Sequence, residues 1–381
     1  MKKSIIPFYI PTDQLIAKSI DCYLYDVEGK EYIDFEAGVW CANVGHNNER
    51  LNKVMKSQVD ETIHHGYRFR NQSSERLAEK LNEKLEFEDG QSVFLSSGSE
   101  AVNLAITISR HITNREKILK INNSFVSAYG FGQLSPNNGY KVDIKFNDLD
   151  AIAQIDFEEI AAFILESGGA SVEVVQFPDI EFVRKLVETA KENGAVFIVD
   201  EVTTGFGRTG EWFGFMHYDV KPDIVVTAKG LGNGFPISGV TINSGIVKIL
   251  NRSPLNYLQS HINDPLGCAI SLEVFQIIDD ENLIVRCREV GLYFKKQLCL
   301  LKDKHTNKIS EVRGRGLILA LEFSEQVDGN WINNQLFDVG LLVGFKLNTL
   351  RLLPPLTIKV EDINKLITEI DRLLNSLPQT Q

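Results

Sequence analysis

No stretch of this 381-residue sequence approaches the roughly 18 consecutive apolar residues that a membrane span requires, and no dense lysine and arginine run interleaved with aromatics occurs in it. Neither a membrane nor a nucleic acid is therefore an expected partner. Charge argues the same way, since 40 Lys plus Arg against 51 Asp plus Glu leave a net charge of −11. The 5 cysteines (Cys22, Cys41, Cys268, Cys287, Cys299) are scattered, odd in number and never arranged as C-x-x-C. That pattern excludes a disulfide framework or a zinc site as the organising device and fits free thiols in a reducing compartment. Internal repeats and low-complexity segments are also lacking. The opening "MKKSIIPFYIP" places two lysines before an apolar run, as a signal peptide does, but Pro7 interrupts the run, Pro11 closes it and no small-residue cleavage site follows. The expected location is the cytoplasm.

What is present is ample for a folded core: 42.9 kDa, enough for about two domains, with 43% hydrophobic residues. The segment "CYLYDVEGKEYIDFEAG" reads as two short strands joined at Glu28-Gly29. From about residue 46 helices alternate with short apolar runs. The spacing predicts a helix over "SSERLAEKLNEKL", starting on a serine N-cap, followed by strands in "SVFL", "KILKIN", "IAAFILE", "AVFIVD" and "DIVVTA". Strand and helix in repetition predict an α/β fold with a mostly parallel, helix-covered sheet. One long helical stretch, 264–303, leads to a smaller strand and helix unit. The expected division is a large domain over 46–279 and a smaller α+β domain built from 1–45 and 280–381.

Sites in such sheets collect outside the carboxyl ends of the strands. Three segments deliver polar groups there. In "VFLSSGSEAVNLAITISR" a strand runs through Ser96-Ser97-Gly98-Ser99 into a helix, whose free N–H groups and about half a positive charge suit a phosphate. An ordinary serine cap followed by Glu100 makes the same pattern. In "AVFIVDEVTTGFGRTG" an apolar strand ends on Asp200 and Glu201, and a buried carboxylate there calls for a cation, either a ligand's or a structural partner's. Gly205, Gly207 and Gly210 spell G-x-G-x-x-G, but a dinucleotide-binding turn must open a helix after the first strand, and the aromatic "EWFGFMHY" follows instead. In "DIVVTAKGLGNGFP" Lys229 ends a strand as Asp200 does, with Gly230, Gly232 and Gly234 behind it to let a flat ligand approach the backbone. A lysine in a partly desolvated cleft is a usable nucleophile toward carbonyls. Phosphate cradle, carboxylate and lysine together match pyridoxal 5'-phosphate, held by its phosphate, ring nitrogen and aldehyde.

With these residues in place the sequence resembles the class III pyridoxal-phosphate aminotransferases, the ornithine, acetylornithine and 4-aminobutyrate group. The likeness runs through "YLYDVEGKEYIDFEAGVWCANVGH", "SSGSEA", "VDEVTTGFGRTG", "PDIVVTAKGLGNGFPISGV", "DPLGCAISLEVFQII", "VRGRGLILALEF" and "LRLLPPLTI", in the family's order. It implies a fold-type-I enzyme moving an amino group between an amine or ω-amino acid and a 2-oxo acid, with an aminomutase or racemase on the same scaffold as the alternative. Lys229 is implied to form the Schiff base and then move the substrate proton, and Asp200 to keep the pyridine nitrogen protonated. Ser97, Gly98 and Ser99 would bind the phosphate, with Ser260 adding a hydroxyl from the partner subunit of a homodimer that shares its sites. Phe125 falls where the family stacks an aromatic on the ring, although an alignment through Tyr129-Gly130 is nearly as good. Thr203 replaces a glutamine common beside the ring. Trp40 and Arg351 are the implied substrate-binding positions, Arg351 gripping the α-carboxylate. On residue type alone Arg351, before the stiff "LLPPL", suits a bidentate carboxylate contact or a structural salt bridge. Ser171 falls about where ornithine-type members carry a gating glutamate, which leaves nothing anionic to mask Arg351 from that side.

Overall fold

The computed structural model describes residues 5, 6, 8, 12–122, 124–134, 139–168 and 175–377. Strands β1 (Ile16–Ile20), β2 (Tyr23–Asp26) and β3 (Glu31–Asp34) form an antiparallel meander. The turn between β2 and β3 places Gly29 at φ 87°, a conformation glycine adopts without the cost a Cβ would impose. Next come β4 (Gln91–Leu95), β5 (Lys117–Ile121), β6 (Lys141–Ile144), β7 (Ile160–Glu166), β8 (Val196–Asp200), β9 (Ile224–Thr227) and β10 (Ser238–Ile242). They make one seven-stranded sheet in the order β4-β10-β9-β8-β7-β5-β6, in which only β10 runs antiparallel to its neighbours. The carboxyl ends of β4, β5, β7, β8 and β9 therefore share one edge.

Both faces of that sheet are covered, and this explains strands with no polar alternation. Phe163, Leu165, Phe197, Val199 and Val225 pack with Phe182, Val183 and Leu186 of helix Ile180–Glu192 in the larger core. Ala162, Ile164, Ile198, Ile224 and Val226 pack on the other face with Leu104, Ala105 and Ile108 of helix Gly98–Thr113. Beyond the sheet lie β11 (Ile309–Arg315), β12 (Ile318–Phe323), β13 (Leu341–Leu342), β14 (Gly344–Lys346) and β15 (Thr349–Leu352). β13 joins β3 in parallel, so the amino-terminal meander is completed by a strand from the far end of the chain. The other four form a sheet in the order β11-β12-β15-β14.

Two local expectations are corrected. The helix of "SSERLAEKLNEKL" begins at Gln72, and its cap is Asn71, whose side chain accepts from Ser74 N–H, so the serines lie inside the first turn. The long helical stretch is two helices, Pro265–Asp280 and Leu283–Lys304, parted where Asn282 turns left-handed at φ 52°. The glycine-rich run after Glu201 is structural. It carries the fully buried Arg208, which donates to the carbonyls of Leu317 and Pro354 and to Asn43 Oδ1, tying the central sheet to both chain ends.

Candidate active site

A cavity of about 270 Å³ opens at the shared strand edge, and Gly98, Ser99, Phe125, Asp200, Thr203 and Lys229 are in its wall. One side is the start of helix Gly98–Thr113. Ser97 caps it through Glu100 N–H, and the Glu100 carboxylate accepts from the preceding Ser96 N–H at 3.1 Å. The serine cap and an anion cradle are thus compatible, because the cap uses Glu100 N–H, one of the helix's several first donors. A Cβ on Gly98 would sit 3.1 Å from Val202 and 3.3 Å from Ala228, so glycine lets the helix start seat against the strand ends. Ser99 Oγ accepts from Ala128 N–H at 2.9 Å, which leaves its own hydroxyl proton to donate. Phe125 lines the cavity and is 43% exposed, whereas Tyr129 stands at its rim with its hydroxyl 3.5 Å from Ser97 Oγ.

Parallel pairing of β7 with β8 sets Glu166 directly beside Asp200. Asp200 is 5% exposed. Its carboxyl is pushed up to about 8 by burial first and by the Glu166 charge second, against a stabilising hydrogen bond from Val202 N–H at 3.0 Å. Two acids thus end neighbouring buried strands, with the Lys229 charge drawing the Asp200 carboxyl down less than burial raises it. Glu201 differs in kind. Its two oxygens accept from Ser167 Oγ, Thr204 Oγ1, Gly214 N–H and Phe215 N–H at 2.7–2.9 Å, a closed cage that holds the following loop. Sequence reasoning passed over Glu166, although it ends "IAAFILE" as Asp200 ends "AVFIVD", and that parallel was the available signal.

Lys229 begins a tight turn at φ 45° directly after β9, and its Nζ donates to Thr203 Oγ1 at 2.7 Å. Burial lowers its pKa, with Cys41, Asp200 and Glu166 pulling the other way. The ammonium also lies 4.5 Å from the centre of the Trp40 ring. Trp40 arrives there through an unusual backbone: Ala37, Gly38, Val39 and Trp40 take φ of 47°, 58°, 60° and 68°, one turn of left-handed helix. Each non-glycine residue in that conformation costs about 1–2 kcal/mol, and a β-branched valine is the least suited. Asp34 clamps the turn by accepting from Glu36 N–H at 2.8 Å and Gly38 N–H at 2.7 Å, and His46 Nε2 lies 2.8 Å from the same carboxylate. Gly38 is required twice, by its φ and because a Cβ would stand 3.0 Å from the His46 ring.

Arg351, in β15, completes this side of the site. Its guanidinium is 5.1 Å from the Trp40 ring centre, and its Nη2 is 3.7 Å from Glu36 Oε1. Arg351 Nε and Trp40 Nε1 are both buried without a hydrogen-bond partner. Glu36 is the anionic neighbour absent from the sequence reading. It lies 315 positions from Arg351, and Gly344, opposite Arg351 in the β14–β15 ladder, makes room for it, since a Cβ there would collide with the Glu36 carboxylate. Ser171 lies outside the described residues. Ser260 is exposed, in the segment between helices Ser244–Arg252 and Pro265–Asp280, and is not brought to Lys229 within the one chain.

The model of the family described as Aminotransferase class-III matches residues 9–131 and 129–374. The chain belongs to that family. An acetylornithine aminotransferase of Aquifex aeolicus is 34% identical over 376 residues, covering 92% of this chain and 94% of that one. The crystal structure of the acetylornithine aminotransferase from Elizabethkingia anophelis superposes with a TM-score of 0.87 at 26% identity over 98% of this chain and 97% of the other. The taurine:2-oxoglutarate aminotransferase from Bifidobacterium kashiwanohense, solved with PLP and glutamate, has a TM-score of 0.89 at 21% identity over 97% and 95% of the two chains, a likeness of fold. This class III enzyme is a transaminase of fold type I that uses pyridoxal 5'-phosphate, with an amino donor and a 2-oxo acid as its substrates. Among its described residues no helix is long and apolar enough to cross a membrane.

Proposed function

We propose that the cavity at the shared strand edge is where this transaminase holds its cofactor and exchanges amino groups, Lys229 being the attachment point and proton carrier. The observation that carries the reading is that Lys229, Asp200 and the start of helix Gly98–Thr113 line one cavity, having come from three separate strand ends. The fit to the cofactor rests on chemistry already described: a carboxylate whose burial disfavours its charge unless a cation such as a protonated ring nitrogen joins it, and serine and glycine N–H groups at a helix start for the phosphate. When bound, the cofactor supplies an electron sink for the substrate's Cα. Ser97, Gly98 and Ser99 would bind its phosphate, Asp200 would hold the ring-nitrogen proton, and Phe125, which lines the cavity as Tyr129 does not, would be the aromatic beside the ring. Thr203 accepts from Lys229 and so orients Nζ into the cavity before and after it carries the proton. Phe235 and Pro236 wall off the side behind Gly234 and limit water.

Arg351 and Trp40 form the carboxylate end of the substrate site. Arg351 has a buried Nε–H without a partner, and Glu36, its anionic neighbour among the described residues, stands 3.7 Å from Nη2. Losing a charge-assisted contact costs about 1.5–3 kcal/mol, a factor of ten or more. Arg351→Ala is therefore expected to raise the Michaelis constant for 2-oxoglutarate or pyruvate at least about tenfold while the visible spectrum of the bound cofactor is retained. An equal loss toward carboxylate-free amines would make the arginine structural.

The working unit of this reading is a cytoplasmic homodimer, each chain divided near 45/46 and 279/280, with Ser260 of one subunit completing the phosphate site of the other. The five free cysteines fit a reducing cytoplasm. Support for the dimer comes from Ile63, Phe69 and Leu258, which are 52%, 70% and 71% exposed on two segments joined where the His64 and His261 rings approach to 4.7 Å. Light scattering is expected to give twice 42.9 kDa, and Leu258→Glu to shift the enzyme toward monomer with weakened cofactor retention. A monomer that keeps its cofactor as tightly as the wild type would remove Ser260 from the site.

A further inference from the structure

We propose that the left-handed turn Ala37–Trp40 is this enzyme's substrate-discriminating element: it puts the Glu36 carboxylate and the Trp40 indole against Arg351 together, so that an incoming carboxylate must compete with the first and gains a hydrogen bond from the second. The inference rests on Arg351 being the carboxylate end of the site. Glu36 directly precedes the turn and Trp40 is its last residue, and both meet Arg351. Glu36 partly neutralises Arg351 at 3.7 Å without a short hydrogen bond. Trp40 brings a buried indole N–H with no partner beside an equally unused Arg351 Nε. A substrate carboxylate placed there competes with Glu36 for charge, and is repaid by two donors without a partner among the described residues. An amine lacking a carboxylate meets neither effect. With Glu36 against Arg351 and the indole beside them, such an amine meets a partly neutralised arginine and an apolar wall. Burial pushes the Glu36 carboxyl up, the Arg351 charge draws it down, and Asp34 adds a raising influence, in keeping with a loosely held pair.

The arrangement exists only because the backbone is held against its own preference. Asp34 and His46 clamp one end, Gly344 opens the space that Glu36 fills, and Val39, 60% exposed at φ 60°, makes no contribution that explains a β-branched residue in that conformation. Strain kept at the substrate end of the site by a dedicated clamp is the mark of a positioned element rather than of a passive loop.

The test uses the holoenzyme and a carboxylate that cannot react, propionate, whose dissociation constant is read as competitive inhibition against a carboxylate-free amine donor and by calorimetry. Glu36→Gln is expected to tighten propionate about threefold by removing the competing charge. Trp40→Phe, which keeps the ring and deletes the N–H, is expected to weaken it about threefold. Val39→Gly relieves the strained φ, so its melting temperature should equal or exceed that of the wild type; yet in its background both effects should shrink by about half or more, because the loosened turn no longer presents either group. Propionate affinity within about twofold of wild type in both Glu36→Gln and Trp40→Phe would overturn the proposal. So would full retention of both effects in the Val39→Gly background, or a clear loss of stability from that substitution. Arg351→Ala in the same titration separates the two layers: if it too leaves propionate binding unchanged, the assignment of Arg351 is wrong, and if it abolishes binding while the turn variants do nothing, only the role of the turn fails.

Discussion

Lys229→Ala is expected to lower turnover by a factor of about 10² to 10⁴, the usual contribution of a positioned proton-transfer group, with the protein still folded. The geometry gives the reason. Lys229 Nζ is held at 2.7 Å from Thr203 Oγ1 and 4.5 Å from the Trp40 ring centre, and burial lowers its pKa, which raises the fraction of free amine able to take a proton near neutral pH. Lys229→Arg should be as inactive, since guanidinium keeps the charge and gives up no proton. Borohydride treatment of the wild-type holoenzyme should leave the cofactor on the peptide that contains Lys229 and on none in the alanine variant. A tag on another lysine, or turnover near wild type in Lys229→Ala, would end the assignment.

Asp200→Asn is expected to cost about 10² to 10³ in turnover while the cofactor is still bound, because an amide cannot hold a compensating negative charge against the protonated ring nitrogen. The same substitution should make the cofactor-free protein more stable, and the pH dependence follows from the sign of the shift. The Asp200 carboxyl is raised to about 8 in the fold, far above the roughly 3.9 of an unfolded chain. The unfolded state is thus ionised first, and the wild type loses stability relative to the asparagine variant progressively between about pH 4 and 8, with no further divergence above that window. Thermal melts of both cofactor-free proteins across that range check this. Parallel curves would mean that Asp200 already has its cation within the fold. Near wild-type turnover in Asp200→Asn would leave the residue a structural role only.

A carboxylate in the cavity wall lies next to one held in a closed cage of hydrogen bonds, and the sequence wrote both as the pair Asp200-Glu201. Their order along β8 was enough to say that one faces the strand edge. Which acid is caged was decided by Ser167, Thr204 and the 214–215 backbone, brought in by the loop that follows. The two helices that read as one are similar: nothing in the apolar spacing of 264–303 marks Asn282, whose short polar side chain tolerates a left-handed turn and lets the chain change direction.

By itself the sequence determined what depends on local order along the chain. Apolar runs without polar alternation, each ended by a polar or glycine-rich turn, specify a helix-covered parallel sheet, and the chemistry of Ser97-Gly98-Ser99, Asp200 and Lys229 is carried by the ends of those runs. Parallel strands with helical crossovers return every carboxyl end to the same edge, so those groups had to meet. The tertiary structure alone decided what depends on pairs remote in the chain: Glu166 beside Asp200 through the β7–β8 register, and Glu36 beside Arg351 through a space that Gly344 leaves open. It also decided the left-handed path of Ala37–Trp40. Only the second residue of that turn, Gly38, favours such a conformation, and the clamp that enforces it on Ala37, Val39 and Trp40 is closed by Asp34 and His46 from outside the turn, a tertiary constraint that overrides the local preference of L-residues.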